Sequence, residues 1–344
     1  MEKIVVTGGS GYIGSHIVSV FAQAGHDVYS LDRVPRSWSG HQSINSYVVN
    51  LQNYDDTLRI LKKIGRVDCI IHCAGELGIN RSYAQKDLFY DQNVFVTDCI
   101  LRAAVALNIR KLFFASSASV YADVYRPVTV DDLLSNDPSP YSFTKIICEE
   151  RIKQVARYTD MSFVIFRYFN VVGCDPDDIQ AHDHYLDKPN LFPLLAKSCM
   201  NDRPLSINGG SYHTKDGTCV RDYINVCDLA RLHLSAYEMM SSERWERKLA
   251  GIYNAGSGKG YSVKEIIGLC EEVSNKRIVT FESERRLGDS PFLCADIEKT
   301  VQTFDWTPEI PVRETFMRLF KVMTEPRQME DETSFVNGNW RKRG

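Results

Sequence analysis

The sequence predicts an α/β protein in which helices cover both faces of a doubly wound, parallel sheet. Three observations support this fold class. Short apolar runs alternate with amphipathic stretches through the first half of the chain, and a glycine-rich turn joins the first predicted strand to the first predicted helix. After Asn170 this alternation stops, which predicts a smaller second domain beside the sheet.

Strands and helices alternate along the first half of the chain. Strands are predicted in KIVVTGG, DVYSLD, SYVVN, DCIIHCAG, KLFFASSASVY and SFVIFRYFN. Helices are predicted in YIGSHIVSVFAQAG, in NYDDTLRILKKIG, over about 91–107 and in the segment that contains Tyr141. Gly25 gives the first helix a C-terminal stop. Strands joined by helices in this order form a parallel sheet, because each connection crosses one of its faces.

The second half of the chain has a different composition. Glycine, aspartate and proline become frequent, long polar loops appear, and shorter helices are predicted in FPLLAKSCM and SVKEIIGLCEEV. We predict a sheet domain over 1–170, to which 222–256 returns, a smaller α/β substrate domain over 171–324 and a frayed polar tail over 325–344. The smaller domain should cover the carboxyl edge of the sheet, where open α/β sheets bind ligands.

Charge and hydropathy limit the partners of the protein. A net charge of −3 over 344 residues offers no basic surface for nucleic acid. No apolar run reaches the roughly 18 residues that a membrane-spanning helix needs. The N-terminus enters a predicted strand at once and lacks the basic start and cleavable apolar stretch of a secretory signal. We therefore expect a cytoplasmic protein that binds neither nucleic acid nor a membrane.

Ten cysteines are scattered along the chain, and none forms a Cys-x-x-Cys pair. This pattern favours buried, reduced thiols over a zinc site or a disulfide framework. Cys69 and Cys73 have an even spacing on one predicted strand and should share a face. His182 and His184 could form a metal pair, but with no further histidine or cysteine nearby a solvated loop is favoured. We expect no metal site.

The stretch TGGSGYIGSH places three glycines between the first strand and the first helix. Gly8 allows the tight turn, Gly11 lets the backbone approach a pyrophosphate, and Gly14 permits close packing of helix on strand. Asp32 ends the second strand, where a carboxylate can hold the ribose hydroxyls of adenosine and repel a 2′-phosphate. The loop therefore predicts a dinucleotide site that prefers NAD to NADP, although the neighbouring Arg33 softens this preference.

The stretch SPYSFTK places Tyr141 and Lys145 on one face of a predicted helix. Alone, this spacing describes a surface pair more often than a site. A lysine ammonium, however, lowers the tyrosine pKa from about 10, so that the phenolate can take a proton from an alcohol while hydride leaves for a nicotinamide. Ser116, Ser117 and Ser119 follow a central strand and could steady the developing carbonyl oxygen. Because these serines and the dinucleotide loop belong to the same predicted sheet as Tyr141 and Lys145, a catalytic site is favoured over a surface pair.

These motifs, with CAG, QNV, RYFN and DGTCVRDYINVCDLA, resemble those of the extended short-chain dehydrogenase/reductase superfamily from about Lys3 to about Phe320. Within it, they resemble most the UDP-glucose (UDP-galactose) 4-epimerases. The resemblance implies a Rossmann-type sheet and a bound NAD that oxidises C4 of a UDP-sugar and returns the hydride to its other face. It implies Tyr141 as the base, Lys145 as the group that lowers its pKa, and Ser117 as the donor to the reacting oxygen.

The resemblance also implies which residues surround each ligand. Those around NAD, besides Tyr141 and Lys145, are Gly8, Gly11, Tyr12, Ile13, Gly14, Asp32, Asn50, Leu51, Ala74, Gly75, Asn93 and Phe169. Those facing the nucleotide sugar are Ser117, Asn170, Asn190, Leu191, Asn208, Arg221, Arg286, Asp289 and Leu293. For Arg286 and Asp289, a local ion pair in one loop is the competing structural interpretation. A homodimer through the helix over 92–106 and the Tyr141 helix is implied as well.

The substrate stays open among related activities. Ala118 and Ser119 stand where 4,6-dehydratases usually carry Asp-Glu and UDP-glucuronate decarboxylases a Glu, so both activities are disfavoured. Departures from the 4-epimerase pattern at Asn50, Ala122, Asn208 and Leu293, and in GELGINRS near the sugar pocket, leave UDP-N-acetylhexosamines, UDP-pentoses and UDP-uronates open. A nucleotide-sugar reductase also stays open, as does a non-catalytic NAD-binding sensor built on the same fold.

Overall fold

A computed structural model of the chain describes residues 1–38, 43–175, 178, 185–186, 190–242 and 249–324. The predicted loop with His182 and His184 and the predicted tail over 325–344 lie outside the described residues. Among the helices that are described, none is both long enough and apolar enough to cross a membrane.

The described part of the chain contains thirteen strands and a set of helices, which alternate as predicted in its first half. The strands are β1 (Lys3–Thr7), β2 (Asp27–Asp32), β3 (Ile44–Val48), β4 (Cys69–His72), β5 (Lys111–Ser117), β6 (Ser162–Tyr168), β7 (Asn170–Val172), β8 (Leu205–Asn208), β9 (Val220–Asn225), β10 (Ala250–Ala255), β11 (Gly260–Ser262), β12 (Thr280–Ser283) and β13 (Phe292–Leu293). The helices are α1 (Tyr12–Gln23), α2 (Tyr54–Ile64), α3 (Ile79–Ala84), α4 (Lys86–Phe89), α5 (Val96–Ala106), α6 (Pro140–Arg157), α7 (Leu191–Asn201), α8 (Val226–Ser241), α9 (Val263–Ser274), α10 (Glu298–Phe304) and α11 (Val312–Thr324).

The main sheet has the strand order β3-β2-β1-β4-β5-β6-β10, and every neighbouring pair is parallel. The order reverses between β1 and β4, which creates the crevice where Rossmann-type sheets bind dinucleotides. Successive strand residues point to opposite faces. Phe113 therefore joins the core that lies under α1 and α8, and Phe114 joins the core under α2, α5 and α6. The predicted doubly wound parallel sheet is confirmed.

Local signals set where the helices begin and end. At the start of α2, the side chain of Asn53 accepts a hydrogen bond from the backbone of Asp56 at 3.2 Å. Ser139 caps α6, with a proline at the first helical position. A capping box of Ser262 and Glu265 begins α9. Each of these signals can be seen in the sequence, which is why the predicted helices lie close to the observed ones.

Three predicted boundaries differ from the structure. The helix predicted over 91–107 starts earlier, at Lys86, and contains a π-helical turn over Tyr90–Phe95, a feature common at functional sites. The strand predicted in KLFFASSASVY ends at Ser117 and is followed by one turn of 3₁₀-helix. β3 ends before Asn50, whose amide oxygen accepts a hydrogen bond from the backbone of Gln52 at 3.1 Å and so belongs to a turn.

A second, smaller sheet lies beyond the end of β6. β9 is its centre and pairs in parallel with β7 and β13 and antiparallel with β11. β8 and β12 form a separate parallel pair. Helices α7, α9 and α11 enclose a third apolar core beside β9. Directly after β9, the chain returns through α8 to β10 in the main sheet. The division into domains at 1–170 and 171–324 stays a prediction.

One buried carboxylate ties these segments together. Asp222, on β9, has no exposed surface. It accepts backbone hydrogen bonds from Ser257 at 2.6 Å, from Gly258 at 2.9 Å and from Ala295 at 3.1 Å. Because a buried carboxylate is costly unless it is hydrogen-bonded, these three bonds fix the loops after β10 and β13 against β9.

Candidate active site

The glycine-rich loop turns from β1 into α1 with no space for side chains. Gly8 has a φ of 70°, and a Cβ atom on it would lie 2.7 Å from the backbone nitrogen of Ala74. A Cβ atom on Gly14 would collide with the carbonyl oxygen of Gly8. Gly11 precedes α1, whose first turn offers free N–H groups. This cradle, which any side chain would fill, fits a pyrophosphate at a helix N-terminus.

Asp32 ends β2 beside this loop. Its carboxylate accepts a hydrogen bond from the backbone nitrogen of Ser10 at 3.1 Å. The next residue, Arg33, pairs with Glu76 at 2.7 Å, and Arg81 pairs with the same carboxylate. Burial acts to raise the pKa of Glu76, but the hydrogen bonds from the two arginines outweigh it, and the pKa is lowered. Glu76 therefore pairs with Arg33, the arginine that could otherwise attract the 2′-phosphate of NADP.

Asn93 connects the loop after β4 to α6. Its Oδ1 accepts a hydrogen bond from the backbone of Glu76 at 2.7 Å, and its Nδ2 donates to the hydroxyl of Thr144 at 2.9 Å. A Cβ atom on Gly75 would lie 2.6 Å from Oδ1 of Asn93 and 3.8 Å from Nζ of Lys145. The loop after β4 therefore runs directly past α6, where it could form one wall of a cofactor site.

Several residues predicted to surround NAD use their side chains in packing. The hydroxyl of Tyr12 donates to the carbonyl oxygen of Gly173 at 2.6 Å, and its ring stacks on Tyr185 with 4.7 Å between centroids. Asn50 bonds its own turn, as described above, so its amide oxygen already has a partner within the protein. The other members of this group pack in the apolar cores: Ile13, Leu51 and Phe169.

Tyr141, Ser117 and Lys145 meet where β5 ends against the first turns of α6. Tyr141 and Ser117 line the same cavity, and the hydroxyl of Ser117 acts to lower the pKa of Tyr141. The ammonium of Lys145 donates to the carbonyl oxygen of Ala115 at 2.8 Å and lies 5.9 Å from the ring centre of Tyr141. Both helix residues are buried, with 7% of Tyr141 and 3% of Lys145 exposed. The three predicted catalytic residues therefore form one cluster.

Within the protein itself, the pKa of Tyr141 shifts opposite to the predicted direction. Burial raises the pKa of Tyr141 to about 12, although the hydroxyl of Ser117 acts to lower it. Burial also lowers the pKa of Lys145. Desolvation of the phenolate is the largest cause of the Tyr141 shift, and spacing along a helix does not reveal it. A second positive charge beside the phenol, such as a nicotinamide ring carries, acts in the direction that a base needs.

A cavity of about 1220 Å³ lies between the ends of β5 and β6 and the second sheet. Tyr141 and Phe169 line it from the side of the main sheet. It is also lined by the residues predicted to face the nucleotide sugar, which are Ser117, Asn170, Asn190, Leu191, Asn208, Arg221, Arg286, Asp289 and Leu293. The structure thus brings together residues from widely separated parts of the chain around the predicted base.

Arginines make one wall of this cavity positive. Arg221, which is 8% exposed, pairs with Asp289 at 2.5 Å. With the side-chain amide of Asn208 turned so that its oxygen faces Arg286, this oxygen accepts hydrogen bonds from Nε at 3.2 Å and from Nη2 at 3.0 Å. The competing interpretation of a local pair between Arg286 and Asp289 is therefore wrong, because Asp289 reaches across to β9 instead. Two guanidinium groups on one wall fit the oxygens of a diphosphate.

Residues of the GELGINRS stretch also line the cavity. Gly78 and Ile79 line the cavity, and so does Tyr83 at the end of α3. A Cβ atom on Gly288 would lie 3.1 Å from the hydroxyl oxygen of Tyr83, so the loop that carries Arg286 touches α3. The sequence placed this stretch near the sugar pocket, but it contained no signal for Tyr83.

Thiols and possible metal ligands are spread through the fold. Among the residues that the structure describes, no three His, Cys, Asp or Glu side chains lie close enough together to hold a metal ion. All ten cysteines are free; Cys73 and Cys227 are partly exposed and the others are buried. Cys69 and Cys73 contact the same apolar core, as their spacing predicts.

The loop, the catalytic cluster and the cavity describe a nucleotide-dependent enzyme of the Rossmann class. In agreement with this, the model of the NAD dependent epimerase/dehydratase family matches residues 4–256. The chain belongs to this family.

Several similar proteins are named UDP-glucose 4-epimerase. The chain is 32% identical over 319 residues to UDP-glucose 4-epimerase of Halalkalibacterium halodurans, covering 91% of this chain and 93% of the relative. It is 32% identical over 328 residues to UDP-glucose 4-epimerase 4 of rice, covering 91% and 88%. The crystal structure of UDP-glucose 4-epimerase from Bifidobacterium longum, in complex with NAD⁺ and UDP, matches with a TM-score of 0.83 and 28% identity, covering 94% and 98%. The UDP-Glc/GlcNAc 4-epimerase of Campylobacter jejuni matches with a TM-score of 0.78 and 26% identity, covering 94% and 99%.

Proposed function

We propose that the chain is an NAD-dependent UDP-sugar 4-epimerase that interconverts UDP-glucose and UDP-galactose or a close UDP-sugar pair. The observation that carries this proposal is the cluster of Tyr141, Ser117 and Lys145 between the glycine-rich loop and the arginine-walled cavity. The similar proteins named for this activity support it. Ala118 and Ser119 follow Ser117 without a carboxylic acid, which argues against elimination of water.

In the proposed reaction Tyr141 takes the proton of the sugar 4-hydroxyl and later returns it to the same oxygen. Ser117 donates a hydrogen bond to that oxygen while it has carbonyl character. Lys145 keeps the phenol and the end of β5 in place through its bond to Ala115. NAD, when bound, would supply the acceptor for the C4 hydride and the donor that returns it to the opposite face of the ketosugar.

The residues that would hold NAD form the crevice described above. The glycines and the first turn of α1 would bind the pyrophosphate, and Asp32 would bind the adenosine ribose. Lys145 would also hold the nicotinamide ribose. The full set that we propose is Gly8, Gly11, Tyr12, Ile13, Gly14, Asp32, Asn50, Leu51, Ala74, Gly75, Asn93, Tyr141, Lys145 and Phe169.

The cavity residues would hold the UDP-sugar. Arg221 and Arg286 would pair with diphosphate or ribose oxygens, and Leu293 would limit the size of the sugar. The remaining members of the set that we propose are Ser117, Asn170, Asn190, Leu191, Asn208 and Asp289. Asn208 and Leu293, which depart from the 4-epimerase pattern, line the cavity together with Ile79 and Tyr83. N-acetylhexosamines, pentoses and uronates therefore stay further candidate sugars.

We also propose a cytoplasmic homodimer with a role in galactose metabolism. The dimer would form through α5 and α6, whose outer faces expose Phe95, Val105 and Phe143. Light scattering should then give twice the 39.2 kDa mass of one chain. A particle with the mass of one chain would contradict the dimer and leave the proposed activity intact.

Proton NMR of the purified protein with UDP-galactose and no added cofactor tests the activity. We expect the anomeric signal of UDP-glucose to appear, and to stay absent with Tyr141→Phe. Net consumption of added NADH would indicate a reductase instead. No conversion of UDP-galactose, UDP-N-acetylhexosamines, UDP-xylose or UDP-glucuronate, together with retained NAD, would contradict the proposed activity and favour a non-catalytic sensor.

A further inference from the structure

Four serine hydroxyls form a continuous chain that ends at Ser117. Ser139 lies 2.9 Å from Ser142, Ser142 lies 2.9 Å from Ser119, and Ser119 lies 2.9 Å from Ser117, all measured between Oγ atoms. Ser117 and Tyr141 line the same cavity, and the hydroxyl of Ser117 acts to lower the pKa of Tyr141. The chain crosses from the first turn of α6 to the end of β5 and lines the cavity throughout.

Two hydrogen bonds of this chain have a defined direction. Each hydroxyl has a single proton to donate. Ser142 donates its proton to Ser119, so Ser139 must donate to Ser142. Between Ser119 and Ser117 either hydroxyl can be the donor, and Ser117 also accepts the backbone N–H of Ser119 at 3.2 Å. When Ser119 is the donor, the proton of Ser117 is directed out of the chain, toward an oxygen in the cavity.

We propose that Ser142 is a positioning residue for the reaction, acting through Ser119 on Ser117; this inference rests on the proposed function. Aligned hydroxyls polarise one another, which strengthens the last donor in the row. The effect is greatest where an oxygen gains negative charge, as the sugar 4-oxygen does when its proton leaves. Ser142 thereby keeps Ser117 a donor at the moment when a donor is needed.

The hydroxyl of Ser142 has no part in starting the helix. The cap of α6 is made by the side chain of Ser139, which accepts the backbone N–H of Ser142 at 3.1 Å. Replacing Ser142 by alanine keeps that N–H and suits a helix. Because Ser142 is 2% exposed and small, the change removes one hydroxyl from the chain and leaves the cap in place. Ser142→Ala is therefore a selective probe.

The test compares Ser142→Ala, Ser119→Ala, the double variant and Ser142→Thr by NMR kinetics with UDP-galactose across pH. For Ser142→Ala we expect kcat to fall roughly fivefold to tenfold with KM within twofold, the size of one lost hydrogen bond. The rise of kcat with pH should move to higher pH, because a weaker Ser117 donor leaves the phenolate of Tyr141 less stabilised. Ser142→Thr, which restores a hydroxyl, should recover most of kcat.

The double variant distinguishes a role of Ser142 in the hydrogen-bond chain from a role in packing alone. If Ser142 acts through Ser119, the double variant should be no slower than Ser119→Ala alone. Losses that multiply, or a Ser142→Ala enzyme with the wild-type kcat and pH profile, would overturn the inference and leave the epimerase activity standing. A wild-type protein that converts none of the UDP-sugars would overturn the proposed function and this inference with it.

Discussion

The ammonium nitrogen of Lys145 lies 2.8 Å from the carbonyl oxygen of Ala115, on the same strand that ends at Ser117. The lysine is therefore anchored to the strand that carries the hydroxyl donor. Through this bond α6 and β5 are held in position against each other. The ammonium contributes a fixed positive charge near Tyr141, although burial of the phenol dominates its pKa.

Replacement of this lysine should abolish most activity. For Lys145→Met we expect kcat to fall at least about a hundredfold, the usual contribution of a group that assists proton transfer. Less NAD should copurify, because the lysine also faces Gly75. The matched control is Lys153→Met on the same helix, an exposed lysine paired with Glu150, which should behave as wild type. NMR rates and cofactor content measure both, and a Lys145→Met enzyme within threefold of wild type would contradict the assignment.

Gly14→Ala should empty the proposed dinucleotide site. Its Cβ atom would collide with the carbonyl oxygen of Gly8 and lie 3.0 Å from Cα of Gly9, so the loop must move. We expect the purified variant to carry little NAD and to show no conversion. Gly268→Ala is the control, because a Cβ atom there meets nothing within 4 Å in α9 and should stabilise the protein by about 0.5–1 kcal/mol. Absorbance of released cofactor and urea unfolding give the two readouts; full NAD content in Gly14→Ala would disprove the prediction.

A buried ion pair behind the catalytic helix should govern stability. Glu149 and Arg167 are 1% and 3% exposed, and they form two hydrogen bonds at 2.7 Å and 3.0 Å. Glu149→Gln would leave the guanidinium without its counter-charge, which costs about 3–5 kcal/mol of unfolding free energy. Glu150→Gln, at the exposed neighbour, should change it by less than about 1 kcal/mol. Urea denaturation compares the two, and equal midpoints would show that the buried pair contributes little.

Acid should destabilise the protein before its carboxylates are protonated. Burial, and next the charge of Lys145, lower the pKa of His72 to about 3; burial lowers that of His233 to about 4. In the unfolded chain both take up protons near pH 6.5. Their contribution is therefore complete above about pH 6.5 and is lost as the pH falls toward the folded values, by about 1.4 kcal/mol per unit for each histidine.

Urea unfolding at a series of pH values from 7.5 to 5 tests this dependence. The unfolding free energy of the wild type should fall steeply as the pH falls over that interval. For His233→Asn the fall per pH unit should be smaller by about 1.4 kcal/mol, the contribution of one proton. A pH-independent free energy of unfolding for the wild type would contradict the prediction, because it would mean that the folded and unfolded protein bind the same number of protons across this interval.

Much of the main sheet could be predicted from the sequence because its signals are local. Apolar runs, helix caps and the glycine turn each occupy a few adjacent residues, and the parallel direction of the strands follows from their alternation with helices. The side chain of Tyr12 could not be predicted in the same way, since its partner Gly173 lies far along the chain. The net pKa of Tyr141 depends on burial, and burial depends on how all the elements pack.

The candidate site shows the same division. Tyr141, Lys145 and Ser117 could be predicted from short motifs. Tyr141 and Lys145 lie one turn apart on a single helix, and Ser117 lies at the end of a single strand. The link from Ser142 to Ser119 had no signal in the sequence, because it exists only where α6 is laid against the turn after β5. The pairing of Arg221 with Asp289 likewise depends on the register of β13 beside β9.

The small sheet also limits how this protein could be recombined with its relatives. β9 draws its three partner strands from before and after it in the chain, and Asp222 bonds to two further loops. In a chimera, one part of the chain comes from this protein and the rest from a relative. Wherever the two parts join between β7 and β13, at least one of these described pairings then joins residues from different proteins. Chimeras joined at such a point should therefore misfold, whereas exchanges of α9 with its flanking loops, or of side chains alone, should be tolerated.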